Sequence, residues 1–251
     1  MINMIRADLY RTIHGKTAKI CLLYAISWVV ICAYVQWATL SWRESVSGAE
    51  IQIDYWESFF IFYPVLLPII IFCNYFTAVD FSYGTIKGYL TKGISRWNYY
   101  LSRLAVGWIF SAVFTTAAFV TGMICSKVFW GEFFGASLTI GQIAAYLISE
   151  LICHLAFATL VVSVAFWIKN NAASMTINIL LLFFGCLGLQ KIGELLKLNF
   201  DLRLLGADVM VAMISLDTAT QWLLPAVLIF AGYFVVFSII SIMILRKRDI
   251  D

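Results

Sequence analysis

Residues 222–248 read WLLPAVLIFAGYFVVFSIISIMILRKR. From Trp222 to Leu245 there is no charged side chain, and Arg246, Lys247 and Arg248 follow at once. About 20 apolar residues in a helix cover a ~30 Å hydrocarbon core. The stretch therefore predicts a membrane-spanning helix that stops at a basic anchor. Five further apolar stretches precede it, at about 17–40, 56–79, 99–125, 141–168 and 172–190. The chain is 63% hydrophobic and 12% charged, against roughly 25% charged in an ordinary soluble domain. A single water-soluble core of this size cannot hide so much apolar surface. The expected fold is an all-α membrane protein with six transmembrane helices, forming one transmembrane domain over 1–251.

The charges sort across this ladder. When the segments between spans are assigned alternately to two sides, one side holds Arg6, Arg11, Lys16, Lys19, Lys87, Lys92, Arg96, Arg103, Lys169, Arg246, Lys247 and Arg248. The other holds only Arg43, Lys127, Lys191, Lys197 and Arg203, with nine carboxylates. Lys- and Arg-rich segments stay cytoplasmic during insertion, which predicts both termini inside. The net charge of +3 is spread over four cytoplasmic segments and is no nucleic-acid footprint.

Two classes of local feature follow the same logic. The first apolar run comes after a polar, basic leader and is too long for the core of a cleaved signal peptide, so it is expected to remain as a signal anchor. Cys21, Cys32, Cys73, Cys125, Cys153 and Cys186 all lie in or at the ends of apolar spans, and none forms a C-x-x-C pair. They read as small buried hydrophobes, not as a disulfide or zinc framework.

Residues 1–16 carry Ile2, Ile5, Leu9 and Ile13 at helical spacing, with Arg6, Asp8, Arg11 and His14 pointing elsewhere. This predicts a short helix lying in the membrane interface, apolar face down; the alternative is a solvated basic leader that only sets orientation. Pro64 and Pro68 in the second span permit a kink. Residues 191–220 are half apolar but interrupted by Lys197, Asp201, Arg203 and Asp208. They fit helices lying at, or dipping into, the outer leaflet, where irregular backbone must be shielded by protein or line a cavity.

Catalytic motifs are nearly absent. There is no G-x-x-x-x-G-K-[ST], no G-x-S-x-G and no H-E-x-x-H, so the chain itself is not expected to hydrolyse ATP. Glu150 and His154 lie four apart in the fourth span and share a helix face. An ionised carboxylate within a span costs ~2.5–3.5 kcal/mol. Two readings are open: a transport-path or proton-relay pair, or a neutral acid hydrogen-bonded to His154 that pins helices together. Two ligands are too few for a metal site.

The segment between spans two and three is sharper. It reads Asp80-Phe81-Ser82-Tyr83-Gly84-Thr85-Ile86-Lys87-Gly88-Tyr89-Leu90-Thr91-Lys92-Gly93-Ile94-Ser95-Arg96, and a short amphipathic helix fits 81–92. Phe81, Tyr89 and Ile86 are large side chains on an otherwise wet segment, as a knob for a cytoplasmic partner would require. With its acid, its Gly84-Thr85-Ile86-Lys87 and its Ile94-Ser95-Arg96, the segment resembles the corresponding stretch of permeases of the ATP-binding-cassette type 2 class. Gly93 stands where proline is common in that class. Ala7-Asp8-Leu9-Tyr10-Arg11 is similar to the family's leader, and the number and order of spans agree over the whole length.

The resemblance implies a division of labour. Residues 1–16 would be an elbow helix, and the segment before span six would be an outer re-entrant closure. Phe81, Tyr83, Gly84, Thr85, Lys87, Tyr89, Leu90 and Arg96 would couple to a separate cytoplasmic ATPase. Two permease chains, identical or paralogous, and two ATPases would form one transporter in a bacterial cytoplasmic membrane. ATP and Mg would sit on the ATPase, and this chain would hold no cofactor or metal. The substrate path would run at the permease dimer interface, with Tyr24, Trp28, Tyr34, Phe59, Phe62, Tyr63, Asn178 and Phe183 as lining residues; residue by residue, lipid contact and helix packing explain the same side chains. The cargo class implied is an amphipathic peptide, such as a bacteriocin or lantibiotic, for export or self-protection. The alternatives are an ATP-independent secondary transporter or channel using Glu150 and His154, and an intramembrane enzyme, for which no nucleophile–base pair or metal triad is visible.

Overall fold

A computed structural model of the chain describes residues 2–47, 65–91, 93–131, 139–195, 206, 211, 214 and 219–247. Eight helices order these residues: α1 (Ile2–His14), α2 (Lys16–Ser47), α3 (Leu66–Ser82), α4 (Thr85–Thr91), α5 (Arg96–Trp130), α6 (Ile140–Ile168), α7 (Asn171–Leu195) and α8 (Ala219–Lys247). The described residues include no strand. Four helices, α2, α5, α6 and α8, are long and apolar enough to cross a membrane, and α3 and the first part of α7 are shorter apolar helices.

The helices run past several expected boundaries. α2 continues beyond residue 40 to Ser47, and α7 beyond residue 190 to Leu195. Hydropathy marks where apolar side chains stop, whereas the backbone ladder continues until a cap or a breaker ends it. Where caps exist, they are chemical. Ser95 accepts a hydrogen bond from the Asn98 N–H at the start of α5, and Gly131 ends that helix in the left-handed region with φ 79°. Thr139 and Gln142 form a reciprocal capping box on α6. The turn between α6 and α7 is closed by Lys169 at φ 59°, and Asn170 Oδ1 accepts from the Ala173 N–H. Pro68 falls in the first turn of α3, where a missing N–H costs little, so it puts no kink in the described helix. Pro64 lies outside the described residues.

The centre of the bundle is α6, packed by α3, α5, α7 and α8. α2 lies against α5 and α3, and α1 against α5 and α2. In a lipid solvent, helix association rests on close van der Waals contact and not on apolar transfer. Gly107 shows how close the helices come: a Cβ there would meet Cys73 Sγ of α3 and Val162 Cγ2 of α6, each at 3.3 Å. The outward faces remain apolar, with Ile20, Leu23 and Ile31 exposed on α2 and Leu224, Leu228 and Val235 on α8. Surfaces of this kind suit lipid. Cys21, Cys73, Cys125 and Cys153 are buried and unbridged, and Cys32 is half-buried and free, in keeping with small apolar packing. Cys186 has no described side chain.

α1 meets the rest of the bundle through polar side chains. Ile2 is 78% exposed and Ile13 is exposed too, while the buried positions are Asp8 and Thr12. Ile5 and Leu9 are half-buried beside them. The helix thus presents a polar stripe to the bundle, because Asp8 finds a cationic partner there.

Candidate functional site

Where α3 ends and α5 begins, four ionisable side chains meet. Arg103, on the second turn of α5, is fully buried. Its Nη1 lies 3.1 Å from Asp8 Oδ1, and its Nη2 donates to Asp80 Oδ2. Asp80, at the end of α3, also accepts from the Tyr99 hydroxyl at 2.9 Å and from Arg11 Nη1 at 3.3 Å. Asp8 accepts from the Ser102 hydroxyl at 3.1 Å. Two carboxylates thus face two guanidinium groups, and the charges balance. A buried ion is tolerated only when so paired. Burial pushes the Asp8 carboxyl above its ordinary value, against the pull of Arg103 and Arg11.

Aromatic rings complete the enclosure. The Arg103 Cζ stands 4.6 Å from the Phe76 ring centroid, 5.0 Å from Tyr99 and 5.8 Å from Tyr89. A guanidinium over such rings gains cation–π attraction, most strongly when desolvated. One buried cation therefore joins α1, α3, α4 and α5.

The chain between α3 and α4 explains its own residue types. Gly84 adopts φ +67°, a region that a side chain makes costly. Thr85 Oγ1 donates to the Asp80 carbonyl at 3.2 Å, satisfying an end carbonyl of α3. Gly93, at φ +78°, ends the corner, and Ser95 starts α5. Arg96 Nη1 donates to the Leu245 carbonyl near the end of α8. Phe81 packs edge-on against Phe166 of α6 at 5.4 Å, and Tyr89 lies 5.6 Å from Tyr99. Ile86 is buried. The three large side chains expected to form a knob for a partner thus face the chain's own bundle. What α4 and its preceding turn offer outward is Tyr83, 78% exposed, with Gly84, Thr85, Gly88 and Thr91. Lys87 and Leu90 belong to α4, but their side chains lie outside the described ones.

The other candidate residues are scattered. Glu150 and His154 sit together inside α6, both buried. His154 Nδ1 is 2.7 Å from the Glu150 carbonyl oxygen and 3.4 Å from Glu150 Oε2. The ring is held by the backbone, and neither carboxyl oxygen attains hydrogen-bond geometry. Among the described residues no group of three or more His, Cys, Asp or Glu could hold a metal ion. Asn178 is fully buried, and its Nδ2 donates to Asn74 Oδ1 at 3.2 Å. Asn74 Nδ2 in turn donates to Asn171 Oδ1 at 2.9 Å. These three asparagines clamp α3 to α7, so Asn178 faces the interior of this chain and not an open surface. Trp28, Tyr34 and Phe183 are exposed on the outside of α2 and α7, and Tyr24 is half-buried with its ring 5.8 Å from Trp28. Phe59, Phe62 and Tyr63 lie outside the described residues, as does most of the expected re-entrant segment 191–220.

Fold and site together define a membrane-embedded, all-helical protein with a buried charge cluster at one end of the bundle. The chain belongs to the family described as "Protein of unknown function (DUF2705)", whose model matches residues 32–250. Asp80 and Arg103 fall within the matched region, while Asp8 and Arg11 precede it. No curated protein matches the chain.

Proposed function

We propose that the chain is the membrane-spanning subunit of an ATP-driven exporter, moved by a separate cytoplasmic ATPase of the ATP-binding-cassette type. The observation that carries this reading is the corner α3–α4–α5. It offers a short helix with an exposed leading turn at Tyr83–Thr85, backed by the Asp80–Arg103 pair. Load applied to α4 is passed through Tyr89, Tyr99 and Arg103 to α3, α5 and α1, and through Phe81 to the central α6. A docking lever needs this combination of an exposed tip and a stiff, charge-locked root. In this arrangement six spans place both termini in the cytosol, and α1 lies along the inner leaflet as an elbow. ATP and Mg bind the partner subunit. Two permease chains and two ATPases make the working unit, and an amphipathic peptide is the cargo class that the aromatic outer faces of α2 and α7 suit.

Affinity purification of the tagged chain from its native membrane tests the proposal. The expected result is a co-purifying Walker-motif ATPase at equal stoichiometry, with ATP hydrolysis stimulated by the chain in detergent. Absence of any such ATPase sinks the reading. A cysteine placed at Tyr83 should react with membrane-impermeant thiol reagents only from the cytosolic side; labelling from outside sinks the topology.

A second reading has one observation in its favour, the buried Glu150–His154 pair within a span. In that reading transport is coupled to protons, and ATP depletion leaves it unchanged. The pair packs into the bundle's own interior, and this favours the ATP-driven reading.

A further inference from the structure

A cavity of about 370 Å³ lies where α1, α2 and α3 meet. Its rim carries Arg11 and Lys16, and its wall carries Phe72, Phe76 and Val79, with Tyr75 beside them. Both cations are exposed, whereas Phe72 and Phe76 are buried. Val79 is three residues from the end of α3, and Lys16 is the first residue of α2. The cavity therefore sits at the level where two apolar helices meet water, on the side of the bundle that carries the N-terminus.

Its charge is unbalanced. Arg11 makes one 3.3 Å contact to Asp80, and 47% of its side chain remains exposed. Lys16 has no carboxylate partner among the described residues. Asp8 and Asp80 are already matched by Arg103 and Arg11, so Lys16 is a surplus cation above an aromatic wall. A free inorganic anion would satisfy the rim and leave the wall wet. A neutral apolar molecule would fill the wall and leave a cation uncompensated at the interface. Only a ligand with an anionic head and an apolar body matches both.

We propose that this cavity binds a phosphate-headed anionic lipid from the leaflet facing the N-terminus. Arg11 and Lys16 hold the headgroup, and the first acyl segment lies against Tyr75 and Val79, over the buried Phe72 and Phe76. Anionic lipids attract cations near the membrane surface, and Tyr75, 43% exposed at the cavity, adds apolar area to bury. The bound lipid would touch α1 beside Arg11 and α3 beside Phe76, whose ring also lies under Arg103. The proposal needs a membrane-embedded chain but no ATPase partner, so failure of ATPase co-purification leaves it standing.

The test uses the full chain in nanodiscs of phosphatidylcholine doped with phosphatidylglycerol, with retained lipid read by native mass spectrometry. Phosphatidylglycerol should be retained in preference to phosphatidylcholine. Lys16→Gln should weaken retention about five-fold, as loss of one interfacial cation implies, and Lys16→Arg should restore it. Lys19 is exposed less than one turn further along α2 and does not line the cavity, so Lys19→Gln should change retention little. Equal losses for Lys16→Gln and Lys19→Gln would overturn the site in favour of diffuse basic attraction. Displacement of the lipid by inorganic phosphate alone would overturn it in favour of a small-anion site. Both lysines are exposed, so the variants keep the fold, and unchanged thermal unfolding checks this.

Discussion

Asp80 and Arg103 form an ion pair that ties the end of α3 to the second turn of α5, and both side chains are closed to solvent. The pair is locked further by the Tyr99 hydroxyl on Asp80 and by Asp8 on the other side of the guanidinium. Breaking a buried pair from one side leaves an uncompensated charge, whereas removing all its members leaves none. The cluster is therefore a place where single and combined substitutions should behave in opposite ways.

Arg103→Met leaves Asp8 and Asp80 buried and facing each other. It should lower stability by about 3–5 kcal/mol, read as a fall in thermal midpoint in detergent. The triple variant Asp8→Asn, Asp80→Asn, Arg103→Met should recover most of that loss. Within the lever reading it should still fail to stimulate an ATPase, since the charge lock is gone. A triple variant as unstable as the single one would show that packing around Phe76 and Tyr99, not charge, holds this corner.

Tyr99→Phe removes one hydrogen bond from a carboxylate and keeps the ring against Phe166 and Tyr89. The expected loss is about 1.5–3 kcal/mol, as for other hydrogen bonds to charged groups. Equilibrium unfolding in a mixed detergent series measures it. No change would mean that Arg103 and Arg11 alone satisfy Asp80.

Gly107→Ala should destabilise by about 1–3 kcal/mol through overpacking, because the new methyl meets Cys73 and Val162 together. Cys73→Ala in the same chain should relieve part of the loss, since it removes one of the two colliding atoms. A double-variant unfolding cycle reads that coupling, and strict additivity would place the strain on α6 instead.

The sequence makes the helices legible and their partners illegible, and the reason is physical. Apolar runs such as 222–245 and 141–168 report on solvent transfer residue by residue, so α8 and α6 stand almost where hydropathy sets them. The helix expected over 81–92 is instead interrupted: α3 runs on to Ser82, Gly84 turns the chain at φ +67° and α4 covers only Thr85–Thr91, because apolar spacing does not register a single left-handed residue. Asp8, Arg11 and Arg103 count equally well as cytoplasmic charges in a topology argument, and nothing local distinguishes a solvated arginine from one locked between Asp8 and Asp80. Their pairing spans 94 positions in the Ser102–Asp8 hydrogen bond, and no periodicity carries information over that distance. One signal is available: Asp8 flanks the expected apolar stripe, next to Ile5 and Leu9, and an acid in a basic leader needs a cation nearby. Asn178 illustrates the converse. Its side chain type suits a path or a clamp equally, and only the proximity of Asn74 decides between them.

Glu150 separates the two functional readings. Its carboxyl is about 15 Å along α6 from Ile140, at the ~1.5 Å rise per residue of a helix, and therefore within the span. Tyr146, one turn earlier, interacts with it, but neither oxygen completes a hydrogen bond, and His154 Nδ1 is held by the backbone carbonyl at 2.7 Å. Leucine in its place removes a buried acid but leaves the Tyr146 hydroxyl without that partner, and an orphaned buried group costs about 1–3 kcal/mol, whereas replacing both partners is close to neutral. Glu150→Leu alone should therefore lower stability by about 1–3 kcal/mol, Tyr146→Phe together with it should recover most of that loss, and Glu150→Gln should change it little. In the ATP-driven reading, both single variants keep ATP-dependent transport in proteoliposomes. In the proton-coupled reading, both abolish transport driven by a pH gradient, because neither replacement can take up and release a proton. Full ATP-dependent transport in Glu150→Gln would confine Glu150 to packing; loss of gradient-driven transport in that variant, with stability kept, would make it the coupling group.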